Sequence, residues 1–270
     1  MKKPLLMISA AAAAVAGAYL YAICPNIREK RLIPDNRFAH RGLYDNIGIP
    51  ENSLAAFRRA SDNGYGTELD IQYTKDRQIV VFHDDTLERM CGQPGRIDDY
   101  TYEELKAFRL LDTDEGIPLF SEVLAAMNGA PVICELKSQQ GFLRSTEICG
   151  LAVGMIKDYR GFICVESFDP YIVEWFKLNH PEIIRGQLAC RADGKYSGFK
   201  RIGAELLGRY MYNFLGRPDF LAYDYRQNCL GLELGSRLFG AQTVTYSPRG
   251  DEAVEMAQAR FDRVIFEIDR

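Results

Sequence analysis

Residues 67–84 read Thr-Glu-Leu-Asp-Ile-Gln-Tyr-Thr-Lys-Asp-Arg-Gln-Ile-Val-Val-Phe-His-Asp. In Thr67–Tyr73 a period of two puts Glu68 and Asp70 on one face of a strand and Leu69 and Ile71 on the other. Gln78–Asp84 is a second strand-like run, separated from the first by only Thr74-Lys75-Asp76-Arg77. A parallel crossover needs about a dozen residues or more. The second run therefore reads as a hairpin arm that folds back over the neighbouring mouth and carries His83 with it.

Outward from this pair, short apolar runs alternate with helical patterns. The strand candidates are Arg37–His40, Thr67–Tyr73, Pro131–Lys137, Phe162–Phe168, Ile183–Ala189, Phe220–Tyr225, Gln242–Ser247 and Arg263–Ile268. Helical segments lie between them. The first is capped at Asn52 or Ser53 and stopped at Gly64, and another is expected over Phe199–Leu215. Such alternation predicts parallel strands joined by outer helices, and eight of them predict a (β/α)8 TIM barrel. At most three residues follow the eighth strand, so a last outer helix is expected to be missing. Asp85–Pro118 reads as a small insertion or lid.

The 270 residues, 47% hydrophobic and 26% charged, are ordinary for a globular protein and exclude collagen-like or wholly disordered chains. A net charge of −4 gives no global positive field to recruit nucleic acid. Residues 1–37 carry six basic side chains against Glu29 and Asp35, which leaves the body acidic. Within that leader, Leu5–Cys24 holds no charge. About twenty residues of helix can cross a hydrocarbon core, so residues 1–25 read as a single-pass transmembrane anchor. A cleaved signal peptide is the competing reading, with Ala16-Gly17-Ala18 as a site. Residues 26–36 then form a linker and residues 37–270 the barrel domain. Basic residues flank the apolar run on both sides, so orientation is open. Cys134, Cys164 and Cys190 sit in apolar runs with no disulfide-like spacing, which favours a reducing, cytoplasmic side.

In Pro131–Lys137, Glu135 and Lys137 share a face opposite Cys134 and Leu136. With the aliphatic residues packed on outer helices, Glu68, Asp70, Glu135 and Lys137 point inward, where uncompensated charge is costly. Two responses are open: a hard divalent cation on the three carboxylates, or a buried Lys137–carboxylate pair without metal. Of three histidines, His180 before Pro181 reads as a surface or capping residue. His40 and His83 converge on the mouth, and near-neutral imidazoles suit a general acid and base.

His40-Arg41-Gly42, Pro50-Glu51-Asn52-Ser53, Glu68-Leu69-Asp70, Thr74-Lys75-Asp76, Val81-Phe82-His83-Asp84 and Glu135-Leu136-Lys137 together resemble the glycerophosphodiester phosphodiesterases. The dense match covers residues 37–137, and Ser167-Phe168-Asp169-Pro170 with Gly186-Gln187-Leu188 extends it thinly. The resemblance implies hydrolysis of glycerophosphodiesters to an alcohol and glycerol 3-phosphate. It implies one Ca²⁺ or Mg²⁺ on Glu68, Asp70 and Glu135, His40 and His83 as the acid/base pair, and Arg41 and Lys137 on phosphate oxygens. It further implies attack by the substrate's glycerol hydroxyl, then opening of a cyclic phosphate by water.

The last third departs from the family pattern. Val244-Thr245-Tyr246-Ser247 replaces Trp-Thr-Val-Asn, and Phe266-Glu267 replaces Thr-Asp. Head-group preference is thereby left open, with Tyr223, Tyr225 and Tyr246 as candidates to line that side or merely to pack. Two other functions compete. One is a phosphodiesterase directed at lysolipids or phospholipids at the membrane. The other is a tethered sensor or scaffold that binds phosphodiesters without turnover, against which the paired imidazoles argue. Oligomeric state is not legible.

Overall fold

A computed structural model describes residues 2–138, 142–192, 194 and 197–269, the side chains of residues 2–10 and 142–145 excepted. Its strands are β1 Phe38–His40, β2 Gly66–Tyr73, β3 Ile79–Val81, β4 Val132–Leu136, β5 Ile163–Ser167, β6 Arg185–Ala189, β7 Phe220–Asp224, β8 Gln242–Arg249 and β9 Arg263–Glu267. All neighbours are parallel except β3, and β1 pairs with both β2 and β9, closing an eight-stranded cylinder. The eight expected strands are all present. β3 lies antiparallel on β2, with Ile71 opposite Val81 and Tyr73 opposite Ile79, as the short gap requires.

The period of two sorts the side chains. Leu69, Ile71, Cys134 and Leu136 face outward onto Phe57, Phe120 and Val123 of the helices Leu54–Asp62 and Phe120–Met127. Inward, Phe38, Ile133, Cys164, Leu188, Phe220, Val244 and Ile265 make an apolar plug through the barrel. Gly186 leaves the space that the Phe220 ring fills, since a Cβ there would lie 2.1 Å from it. Further along the strands the inward positions turn polar, with His40, Glu68, Asp70, Glu135 and Glu166 among them.

Ser53 caps the first outer helix. Its hydroxyl accepts from Ala56 N–H at 3.2 Å and donates to the Pro50 carbonyl at 2.7 Å. Ser53→Ala is expected to cost about 1 kcal/mol, read as a lower denaturation midpoint with an unchanged slope.

Residues 85–118 form short turns over a small core of their own, in which Leu87, Met90, Ile97 and Leu105 close on Val80 and Phe82 of the hairpin arm. The single helix expected over residues 199–215 is instead two, Gly198–Leu207 and Asn213–Gly216. The chain must pass Gly208 against the Cys190 carbonyl, where a Cβ would lie 2.4 Å from the oxygen.

A helix spans Lys2–Ile23. The transmembrane span expected within residues 1–25 is not supported: among the described residues no helix is long and apolar enough to cross a membrane. The side chains of residues 2–10, Lys2 and Lys3 included, fall outside the described set. The end of the helix docks on the barrel. Asn213 donates to the Ile23 carbonyl at 3.0 Å, and the Arg217 guanidinium lies 4.5 Å from the Tyr21 ring centre. Residues 26–36 then run beneath the amino end of the barrel, where Ile33 is fully buried and exchanges hydrogen bonds with Gln242.

Candidate active site

The carboxyl ends of the strands surround a cavity of about 190 Å³ lined by His40, Arg41, Glu68, His83, Glu135 and Lys137, with Glu166, Phe168, Leu188, Tyr246, Ser247 and Ile265 completing the wall. Six of the seven side chains singled out from the sequence thus line one space. The seventh, Asp70, is not part of the lining but touches two residues that are, Lys137 and Arg41.

Glu68 and Asp70 come from β2 and Glu135 from β4, and the register sets Asp70 directly opposite Glu135. Oxygen atoms of the three carboxylates lie within 4.8 Å of one another, and all three groups are buried. The Lys137 ammonium is 2.8 Å from Asp70 Oδ1 and 2.9 Å from Glu135 Oε1. Both compensations weighed from the sequence therefore meet here: a lysine–carboxylate pair exists inside an acidic cluster suited to a cation. Arg41, expected on phosphate, reaches Glu51 at 2.6 Å and Asp70 at 3.5 Å, and Asn52 donates to Asp70 at 3.0 Å.

These contacts divide the carboxylates. Burial opposes ionisation of Asp70, but Lys137, with support from His83 and Arg41, outweighs it and holds the group well below the usual range. Glu68 is pushed well above that range by burial and by the charges of Asp70, Glu135 and Glu166. Burial raises Glu135 as well. Hard oxygen donors crowded together, with negative charge that one ammonium and one guanidinium leave partly unbalanced, fit a divalent cation such as Ca²⁺ or Mg²⁺.

The two imidazoles are mounted alike. His40 Nδ1–H donates to Glu267 at 2.8 Å, and Arg249 binds the same carboxylate. His83 Nδ1–H donates to Asp84 at 2.7 Å, and Arg89 grips Asp84 at 2.6 and 2.8 Å. A carboxylate only accepts, so each ring carries its proton on Nδ1 and leaves Nε2 for chemistry. His40 Nε2 stands 3.7 Å from Glu68. Burial, helped by Arg41, holds the His40 pKa below the ordinary imidazole value. Despite burial, His40 and Arg249 hold Glu267 down to about 2. Glu267 fixes the direction of the His40 ring, and if that ring takes part in turnover Glu267→Gln is expected to lower kcat roughly ten- to a hundredfold with KM little changed. An amide can donate to Nδ1 and so favour the wrong tautomer. Glu267→Asp should recover part of the loss.

Several site residues escaped the sequence reading. Glu267 looked like a departure in the substrate pocket, yet it holds His40 across the β1–β9 seam. Glu166 stands opposite Glu135 on β5, 2% exposed, with Oε2 lacking a hydrogen-bond partner. Burial and the nearby Glu135 and Asp70 raise its pKa well above the usual range. Its spacing of two from Cys164, an inward residue, was the available signal. Tyr246 does line the cavity, whereas Tyr223 is buried and donates its hydroxyl to the Gly208 carbonyl. His180 caps the helix Pro170–Asn179 and faces Glu182, away from the cavity.

Residues 40–214 match the model of the glycerophosphoryl diester phosphodiesterase family. The glycerophosphodiester phosphodiesterase of Caldanaerobacter subterraneus subsp. tengcongensis is 33% identical over 159 residues, 56% of this chain and 65% of the relative. Human glycerophosphodiester phosphodiesterase 1 is 41% identical over 96 residues, 32% of this chain and 28% of the relative. The chain thus spans less than two thirds of the length of these curated relatives. Among solved structures, an Oleispira antarctica phosphodiesterase in complex with the product sn-glycerol-3-phosphate matches with a TM-score of 0.67 at 21% identity, covering 86% of this chain and 92% of that one. A Parabacteroides distasonis glycerophosphodiester phosphodiesterase matches with a TM-score of 0.64 at 24% identity over the same shares. At these identities the likeness is one of fold.

Proposed function

Because the chain belongs to the glycerophosphoryl diester phosphodiesterase family, we propose that it hydrolyses glycerophosphodiesters to an alcohol and glycerol 3-phosphate. The observation that supports this reading is a single cavity where Glu68 and Glu135 of a buried acidic triad are joined by two imidazoles, each with a carboxylate on Nδ1. A binder without turnover has no use for two such mounted rings.

Glu68, Asp70 and Glu135 would hold one Ca²⁺ or Mg²⁺, which when bound supplies positive charge to phosphate oxygens as their negative charge grows. Arg41 and Lys137, on the cavity wall, add fixed positive charge on the same side. One imidazole, neutral and open at Nε2, accepts the proton of the attacking glycerol hydroxyl. The other, protonated at Nε2, donates to the departing alkoxide as the phosphorus–oxygen bond breaks. When water opens the resulting cyclic phosphate the two rings exchange roles, so the proton count closes over one turnover. Glu267 and Asp84 keep both rings in the tautomer that this exchange needs.

The test is release of glycerol 3-phosphate by the full chain from a panel of glycerophosphodiesters, with and without a chelator. Release that the chelator suppresses and added Ca²⁺ or Mg²⁺ restores is expected. Stoichiometric binding of the diesters with no product under any metal would mean a sensor instead.

A further inference from the structure

We propose that the helix Gly198–Leu207 is a docking element that seats the catalytic end of the barrel on an anionic lipid bilayer. An outer helix of a barrel normally hides its apolar stripe against the strands. Here the helix has no buried residue. Phe199, Ile202 and Leu206, three and four apart, share one stripe and are 92%, 57% and 36% exposed. Single apolar residues on a surface need no explanation, but an aligned stripe on an uncovered helix marks an interaction site.

The placement points outward from the active site. The helix follows β6, whose Leu188 lines the cavity, and begins nine positions after that strand ends at Ala189. It returns to the same end, because Gly208 lies against the Cys190 carbonyl and accepts the Tyr223 hydroxyl at 2.9 Å. Its last turn therefore ends level with the carboxyl ends of β6 and β7, beside the mouth of the barrel. A second apolar element reaches that face. The N-terminal helix climbs from the Asn213 contact at Ile23 to Tyr19, which shares a groove with Glu205, Arg209 and Leu230, and residues 11–18 beyond it are exposed and uncharged.

Charge selects the occupant. Arg191, Lys200, Arg201 and Arg209 are all exposed around this surface, whereas the chain as a whole carries −4. The one acidic residue of the helix, Glu205, is paired with Arg201 and Arg209. A second copy related by a twofold axis would set two such basic rims against each other. An anionic bilayer accepts both parts, acyl chains taking the apolar stripe and headgroups the basic flank. Such a helix lies in the interface and has no need to span it.

The test uses the full chain and vesicles of phosphatidylcholine with or without phosphatidylglycerol. Wild-type protein should float with the anionic vesicles, and the F199S/I202S variant should partition about tenfold less. The K200E/R201E variant should lose the preference for phosphatidylglycerol. On vesicle addition Phe199→Trp should gain a blue-shifted emission that the wild type, with Trp175 alone, does not show. None of these residues lines the catalytic cavity, so hydrolysis of water-soluble glycerophosphodiesters and the melting temperature should not change. Those two readouts separate failure of docking from failure of the proposed reaction. Wild type that stays with the aqueous phase, or F199S/I202S binding as tightly as wild type, would overturn the proposal. So would a wild-type dimer that F199S/I202S converts to monomer, which would make a second copy the occupant.

Discussion

Alanine in place of either His40 or His83 is expected to lower the turnover of glycerophosphodiesters by about 10²-fold or more. Each ring is held through Nδ1 by its own carboxylate, Glu267 at 2.8 Å and Asp84 at 2.7 Å, and each carboxylate is held in turn by an arginine. That mounting spends two ion pairs on fixing the direction of one nitrogen per ring. A purely structural histidine would not need it. The loss should appear in kcat more than in KM, since neither ring is charged with holding the phosphate. The two variants should differ in stability. His40 is buried under the β1–β9 seam, whereas the His83 side chain is 33% exposed on the hairpin arm. His83→Ala should therefore melt close to wild type while losing activity, and near-normal turnover in either variant would remove that ring from the mechanism.

Asp70→Ala should be inactive and should also destabilise the fold by about 3–5 kcal/mol, the usual cost of breaking a buried ion pair by removing one partner. The carboxylate is 1% exposed and meets Lys137, Asn52 and Arg41 at once. Its removal leaves an ammonium and a guanidinium with one acidic partner fewer in a closed space. Asp70→Asn keeps the volume and the Asn52 contact, so it should recover part of the stability and none of the activity. The measurements are a denaturant midpoint for both variants and glycerol 3-phosphate release. A stable, active Asp70→Ala would contradict both roles.

The alternation in Thr67–Tyr73 and Pro131–Lys137 was enough to direct Glu68, Asp70, Glu135 and Lys137 inward, because a strand gives a side chain only two directions. The four-residue gap after Tyr73 settled the antiparallel arm and brought His83 to the mouth. What stayed hidden depended on closure. Glu267 meets His40 only because the last strand pairs with the first, 227 positions away, a contact that no local pattern encodes. Glu166 meets Glu135 through strand register, which is likewise a property of the assembled sheet. The break near Gly208 had a glycine as its only local sign, and the docked path of residues 26–36 rests on Ile33 finding the open amino end of the plug. The long uncharged leader suggested a membrane span on composition alone, yet its helix ends in polar contacts with Asn213 and Arg217 of the barrel.

Calorimetric titration of Ca²⁺ or Mg²⁺ into the chelator-treated full chain, run alongside its glycerol 3-phosphate release, tests the acidic triad most directly. One binding event per chain, with activity returning along the same curve and both lost in Glu135→Gln, is the predicted result. Full activity in the metal-free protein, or unaltered binding in Glu135→Gln, would contradict it.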